Sequence, residues 1–380
     1  MAGKKFSDPI LVRPVRSRRE RRRFITFPWR LYGADPHWVP PLIGERLRFF
    51  DPARNPFFAA NPHQLFLAYR GQQVVGRIAA IHNLAHNRYH QDRAGFFGFL
   101  EAINEASVFQ ALLDTAQAWL RACGCDRMLG PMNPSTNDEV GFLLEGYDRP
   151  PCFLMPYNPP YYIERMEALG YAKAKDLYAY YLDEATLAVS PKLERVCAAL
   201  AQRYPLQLRP VELRRFQEEL EIVRDIYNNA WARNWGFVPM TPQEFDFVAR
   251  DFKRLVHPQL ALIGQYQGKA VGFLLALPNY NEVLIRLRSG RLFPLGLFKF
   301  LWHRRRIRGI RVITLGIKRE YQALGFGALF YREVIQRARQ AGFTWAELSW
   351  VLEDNTLMNK AAQLLGARLY KRYRIYETAL

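Results

Sequence analysis

IRVITLGIKREYQALGFGALFYREVIQRA, residues 310–338, is the stretch on which the reading of this chain turns. The β-branched run at 310–314 predicts a buried strand. A polar turn follows, then Gly325 and Gly327. A helix comes next, with Phe326, Phe330, Val334 and Ala338 four apart on one face. Two glycines between a strand and a helix let the backbone approach a ligand closely. The start of the helix offers free N–H groups and the positive end of its dipole, a good site for an anion.

Around this turn the chain repeats itself. Gly71–Gly76 (GQQVVG) between two apolar runs predicts a hairpin, and so does Gly268–Gly272 (GKAVG). Val271-Gly272 stands 196 positions after Val75-Gly76, and the helix-ending Leu365-Gly366 stands 196 after Leu169-Gly170. Between these anchors Ala341-Gly342 follows Cys123-Gly124 by 218 positions, so the second copy is longer before its glycine turn and the first copy longer after its helix. Equal offsets at both ends indicate a tandem duplication. In this register Gln322, Gly325 and Gly327 fall on Asn104, Ser107 and Phe109. Without the glycines, the loop of the first copy cannot easily bring its backbone against a phosphate.

The spacing Gln322-x-x-Gly325-x-Gly327 resembles motif A of the GNAT acyltransferases. The resemblance implies an α/β (α+β) fold of two tandem GNAT-like domains, mixed central sheets flanked by helices. Residues 1–185 would form a degenerate, acceptor-side copy and 186–380 the copy that holds acyl-CoA. It also implies that the loop cradles the pyrophosphate of coenzyme A, with Leu315, Ile317, Lys318, Gln322, Gly325, Phe326, Gly327 and Ala328 as contacts. Acyl-CoA would then be a co-substrate, with no permanently bound cofactor. After the next strand, Trp345–Val351, the helix from Asn355 to Gly366 also matches the family. One departure is Ala362, where the family often carries a tyrosine as general acid.

Composition narrows the classes. A length of 380 residues, 49% of them hydrophobic, suits two domains with proper cores. The net charge of +19 calls for an acidic partner: nucleic acid, anionic lipid or a phosphorylated cofactor. Part of it is concentrated at Arg13, Arg16, Arg18, Arg19 and Arg21–Arg23. Four cysteines form no C-x-x-C pair, which points to reduced thiols and no metal site. No secretory h-region follows the arginines, and no apolar run approaches the roughly 20 residues of a membrane span. The expected location is therefore cytoplasmic, or peripheral on the inner face of the membrane.

Along the chain, a strand is expected at 10–16, a basic amphipathic helix at 17–33, and an ordered aromatic wrap at 36–62. The hairpin 64–81, a strand at 95–101 and a helix at 107–122 follow, and residues 186–212 connect the halves. His82, His86 and His90 lie four apart; their asparagine neighbours weaken a helix, and a surface stripe is expected ahead of a proton relay or a metal site. The segment GPMNPSTNDE (130–139) is the densest polar cluster in the chain, and YNPPYY (157–162) follows it. These groups are either Asx-turn chemistry or the residues that position the acceptor. Asn133, Tyr157, Tyr161 and Trp235 are the acceptor-side candidates. Trp231, Trp235 and Phe237 are either core or the lining of an apolar channel. Finally, 286–308 (RLRSGRLFPLGLFKFLWHRRRIR) sets an aromatic–aliphatic core between basic clusters. It is either a core helix with a solvated end or a segment lying on an anionic membrane surface.

Acyl transfer to an amine needs a held thioester, a neutral amine and a stabilised oxyanion. Backbone N–H groups near Leu315–Ile317 would bind the oxyanion. Asp138 and Glu353 are the first candidates for the base, with Asn137 and Asn355 orienting; Glu139, Glu101 and Asp354 remain alternatives. Each could equally be a cap or an ion pair, Asn355 above all. Across nearly its whole length the chain resembles the bacterial ceramide synthases, GNAT-type enzymes that N-acylate a sphingoid base. The likeness lies in FPWRLYGADPHWVPPL, GRIAAIHNLAHNRYH, GPMNPSTNDE, YNPPYY, NWGFVPM and ELSWVLEDN. It implies a lipid amine acceptor. Transfer to a soluble amine, peptide or cell-wall precursor is the alternative within enzymes. A basic nucleic-acid-binding regulator is the alternative outside them, although no helix-turn-helix or aromatic-interleaved sheet pattern supports it.

Overall fold

The computed structural model describes residues 8–185 and 191–380. Two compact units are formed. The first runs through Asp176 and takes in Arg288–Arg291 and Tyr373–Leu380; the second is Leu177–Leu287 with Leu292–Arg372. The first seven residues, and 186–190 at the start of the expected connection, lie outside the described part.

The first unit begins with β1 (Ile10–Pro14), α1 (Arg18–Thr26) and α2 (Pro28–Tyr32). Ser17 and Glu20 form a capping box that starts α1, and Pro28 at the first position of α2 restarts the chain. The single helix expected at 17–33 is therefore two. The aromatic wrap contains α3 (Ile43–Phe49) and α4 (Pro56–Ala60), the latter capped by Asn55. Then come β2 (His63–Arg70), β3 (Gln73–Ile81), α5 (Leu84–His90), β4 (Ala94–Ala102) and α6 (Ala106–Ala122). After these, β5 (Arg127–Gly130), β6 (Met132–Asn133), β7 (Glu139–Val140), β8 (Phe142–Glu145), α7 (Tyr161–Ala168) and β9 (Ala172–Leu182) follow.

The sheet of this unit runs β1-β2-β3-β4-β5, antiparallel except that β4 and β5 are parallel. Val108, Phe109, Leu112, Leu113, Ala116 and Leu120, at three- and four-residue spacing, bury one face of α6 in the core that also holds Ile78 and Phe97. Each of the valine, leucine and phenylalanine side chains contributes roughly 2 kcal/mol.

The second unit contains α8 (Pro191–Arg203), β10 (Gln207–Pro210), α9 (Phe216–Ala230), α10 (Pro242–Leu255), β11 (Ala261–Tyr266) and β12 (Lys269–Pro278). It continues with α11 (Asn281–Leu284), α12 (Gly296–His303), β13 (Gly309–Ile317), α13 (Phe326–Gln340), β14 (Trp345–Leu352), α14 (Thr356–Leu364) and β15 (Arg368–Ala379). Its sheet runs β10-β11-β12-β13-β14, with only β13–β14 parallel. On α13, Phe330, Tyr331, Val334, Ile335 and Ala338 pack into the core over the sheet.

The last strand of each sheet comes from the far part of the chain. In the second unit β14 pairs antiparallel with Leu177–Leu182 of β9. In the first unit β5 pairs antiparallel with the end of β15, from Tyr376↔Gly130 to Ala379↔Arg127. We retain 1–185 and 186–380 as the proposed bounds of the sequence repeat, whereas the packed units divide inside β9 and β15.

Among the described residues, no helix is long and apolar enough to cross a membrane. No group of three or more His, Cys, Asp or Glu residues could hold a metal ion among them.

Candidate active site

The site begins where two parallel strands part. β13 and β14 pair from Gly309↔Trp345 to Val312↔Leu348 and no further, yet β13 continues to Ile317 and β14 to Leu352. The outer edge of β13 stays bound to β12, with a register shift that leaves Ile313 as an extra residue. β14 meanwhile follows β9. The strands therefore fork, and beyond Ile313 the inner edge of β13 has no strand partner among the described residues. Backbone groups of Leu315 and the N–H of Ile317 lie on this unpaired stretch, where they can meet an incoming chain or carbonyl.

The turn leaving this fork is tied down. Lys318 N–H donates to the Val271 carbonyl at 2.8 Å, and Gln322 Nε2 donates to the Ile317 carbonyl at 3.0 Å. Arg319 holds Asn229 of α9 through its backbone N–H at 2.9 Å and its Nε at 3.1 Å. Lys318 Nζ sits 2.6 Å from Asp225, so its charge is locally balanced. Gly325 then adopts φ +76°, a left-handed conformation that L side chains rarely take, and α13 starts.

Phe326 is wholly buried and anchors the start of the helix in the core. The Ala328 N–H reaches the Gly325 carbonyl at 3.1 Å. At Gly327 a Cβ would meet nothing nearer than the Ile317 and Leu315 side chains at 3.8 Å. Packing within the protein does not demand that glycine. Such a turn can receive a pyrophosphate.

An aromatic group flanks the strand. Trp231, at the end of α9, lies on Gly316, where a Cβ would come within 2.1 Å of its ring. Tyr227 packs against Trp231 at 4.9 Å and against Phe237 at 5.6 Å. Phe237 is buried, while Trp231 and Trp235 are half-buried. Thr314 alternates onto the same strand face as Gly316. Its hydroxyl oxygen, like Oδ1 of Asn228 on α9, is buried without a hydrogen-bond partner.

Past β14, Asn355 Oδ1 accepts the Met358 N–H at 3.1 Å and so caps α14. Asn359 donates to the Leu352 and Glu353 carbonyls and accepts from the Tyr180 hydroxyl at 2.8 Å. Glu353 is half-buried beside this cap, and Ala362 is core. Below the fork lies a polar group that sequence reasoning missed. Arg311 Nε donates to Ser349 Oγ at 2.8 Å, and the hydroxyls of Ser349 and Tyr370 donate to the fully buried Glu347. The signal was one charged residue in each of two apolar strands; only the register places Arg311 opposite Glu347.

In the first unit the corresponding fork is occupied by its own chain. β4 and β5 part after Phe96↔Leu129. Asn133 Oδ1 then takes the Phe99 N–H at 2.6 Å, and the Met132 carbonyl presses on Gly98, 1.8 Å from where a Cβ would stand. α6 opens on Glu105, whose carboxylate pairs with Arg70. A carboxylate at that helix start opposes a bound phosphate.

The remaining candidates of this unit are engaged locally. Tyr157 donates to Asp35 at 2.5 Å and Tyr161 to the Ala102 carbonyl at 2.7 Å. Asn137 N–H and Asp138 both bond Ser135 Oγ, at 3.1 and 2.7 Å. Burial lifts the Asp138 carboxyl to about 7, against the Ser135 hydrogen bond that lowers it. Glu139 pairs with Arg46 at 2.7 Å. Glu101 is raised by burial and accepts from Tyr32 and from Tyr162, the latter at 2.7 Å.

The histidine expectation changes. Asn83 caps α5 rather than weakening it, and His86 is buried 4.4 Å from His90 and 4.8 Å from Phe96. Burial pushes its imidazole down to about 4, so it is neutral and no part of a surface stripe.

Residues 220–367 match the model of the Acetyltransferase (GNAT) family. The chain belongs to the GNAT family and is an acyltransferase. Among particular proteins, it is 38% identical to Protein YghO of Escherichia coli strain K12 over 97% of this chain and 95% of that one. It is also 38% identical to the bacterial ceramide synthase of Caulobacter vibrioides, over 98% of both. Among solved structures, a tandem GNAT protein from the clavulanic acid biosynthesis pathway superposes with a TM-score of 0.56. It covers 97% of this chain and 98% of its own at 13% identity, a likeness of fold.

Proposed function

We propose that this protein N-acylates a sphingoid base with a long-chain acyl group from acyl-CoA. The observation that supports it most is the open fork and glycine turn in a chain 38% identical, end to end, to a protein named bacterial ceramide synthase. In this reading the first turn of α13 receives the pyrophosphate, and β13 beyond Ile313 aligns the thioester. A backbone N–H at Leu315–Ile317 meets the oxyanion, a contact worth roughly 3 kcal/mol. The amine nitrogen attacks the thioester carbon and gives up a proton to a base. The C–S bond then breaks, and CoA leaves as a thiol once its sulfur is protonated.

Asp138 and Glu353 stay as the candidate bases, one in each unit, with Asn137 as a positioning residue. Asn355 is already committed to its cap. The acceptor-side roles of Asn133, Tyr157, Tyr161 and Trp235 remain proposals. The first copy is assigned no CoA of its own, in keeping with its filled fork and Glu105. No resident cofactor enters this chemistry. The place of action we assign is the cytoplasmic side of an anionic membrane.

The test is release of free CoA from palmitoyl-CoA and from acetyl-CoA, with and without a sphingoid amine, using Gly325→Glu as control. Amine-dependent release from palmitoyl-CoA, lost in the control, is expected. Release from acetyl-CoA alone would remove the lipid reading and keep the enzyme class.

A further inference from the structure

The segment from Leu292 through Arg308 was expected to be either core or interfacial, and its outer face is not core. Phe293, Leu295, Phe298 and Trp302 are 72%, 71%, 72% and 66% exposed. Phe298 and Trp302 stand four apart on α12, so these side chains crest one face. The opposite face is anchored, since Phe300 stacks on Tyr280 with ring centroids 5.9 Å apart and Ile307 is buried. The helix is thus fixed to its unit while a row of aromatic and aliphatic groups stands in water, a costly arrangement unless something covers it.

Charge identifies the cover. Lys299, Arg304, Arg305 and Arg306 are exposed beside the row, and no Asp or Glu occurs between Arg286 and Arg319. Lys299, Arg304 and Arg305 have no ion-pair partner among the described residues, and Arg306 lies 5.5 Å over the Trp302 ring. Desolvation and then the nearby cations Arg286, Arg306 and Lys299 push the His303 imidazole down, as expected in a positive field. A nucleic acid would use the cations and leave Leu295 and Phe293 uncovered. An anionic bilayer satisfies both: apolar side chains enter the acyl boundary while arginines meet the headgroups.

We propose that α12 and its flanks are an interfacial anchor that seats the second unit on anionic phospholipid. The inference deepens the lipid-acceptor reading, but vesicle binding is measured without either substrate, so the two can fail separately.

The full-length protein is sedimented with phosphatidylcholine vesicles containing about 30 mol% phosphatidylglycerol, and with phosphatidylcholine alone, at about 0.1 and 0.5 M salt. Binding is expected to the anionic vesicles only and to weaken with salt. Arg304→Gln/Arg305→Gln/Arg306→Gln should weaken it about 100-fold, at ~1 kcal/mol per arginine. Phe298→Ser/Trp302→Ser should abolish it with melting temperature unchanged. Trp302→Phe should retain binding but lose most of the blue shift in emission. No vesicle binding by the wild type, or binding undiminished from the wild type in either multiple variant, would overturn the proposal. So would self-association, or DNA binding without vesicle binding, that disappears in Phe298→Ser/Trp302→Ser.

Discussion

Gly327→Asp separates the needs of the fold from those of the ligand. A Cβ at this position has no neighbour nearer than 3.8 Å, so the substitution meets no clash. The position lies in the first turn of α13, where a carboxylate favours the helix by about 0.5 kcal/mol. Replacing glycine inside a helix also removes backbone entropy from the unfolded chain. Stability should therefore hold or rise slightly. A pyrophosphate at the same turn would meet a like charge at about 5 Å, a repulsion of roughly 3 kcal/mol at an effective dielectric of 20, or more than 100-fold in affinity. Calorimetric titration with a non-hydrolysable palmitoyl-CoA analogue reads the affinity, and thermal melting reads the fold. Unchanged affinity in a folded variant would refute the assignment of this turn to phosphate. A loss of several kcal/mol of stability would refute the claim that packing leaves the position free.

Two further outcomes follow from buried polar groups. Burial raises the Asp138 carboxyl from 3.8 to about 7, so the folded state binds the proton more tightly than the unfolded chain. Its ionisation therefore costs nothing below pH 4, costs progressively more up to about pH 7, and reaches roughly 4 kcal/mol above that. Asp138→Asn should gain that much over the wild type between pH 4 and 8 in urea unfolding, and a flat difference would exclude the shifted carboxyl. At Thr314, whose hydroxyl is buried and unpaired, the near-isosteric Thr314→Val should stabilise by about 1 kcal/mol in the same assay. Destabilisation would mean the hydroxyl is satisfied in solution.

The strand–turn–helix around Gly325 could be read from the chain because each step is local: a β-branched run, a left-handed glycine, a four-residue apolar spacing. The break at Pro28 was equally local, since proline at the first helical position restarts a helix. What could not be read depends on register or distant neighbours. His86 is neutral because Phe96, from the following strand, helps to bury it. Asn133 fills the first fork because the chain returns to Phe99, 34 positions earlier. Arg311 and Glu347 look like isolated charges until parallel pairing sets them opposite each other. Exposure of Phe298 and Trp302 is likewise undecidable from an apolar run, which suits a core and a bilayer surface alike.

The strand arrangement also orders events during synthesis. The sheet that begins with Ile10 is closed by Tyr376–Ala379, which are synthesised after every strand from β10 to β14. Until then the edge of β5 stands without its partner, while the downstream half is already supplied with Leu177–Leu182 before its own strands emerge. The earlier of the two sheets is therefore the later one to be finished, and disruption of Tyr376–Ala379 would be felt at β5 rather than at the glycine turn.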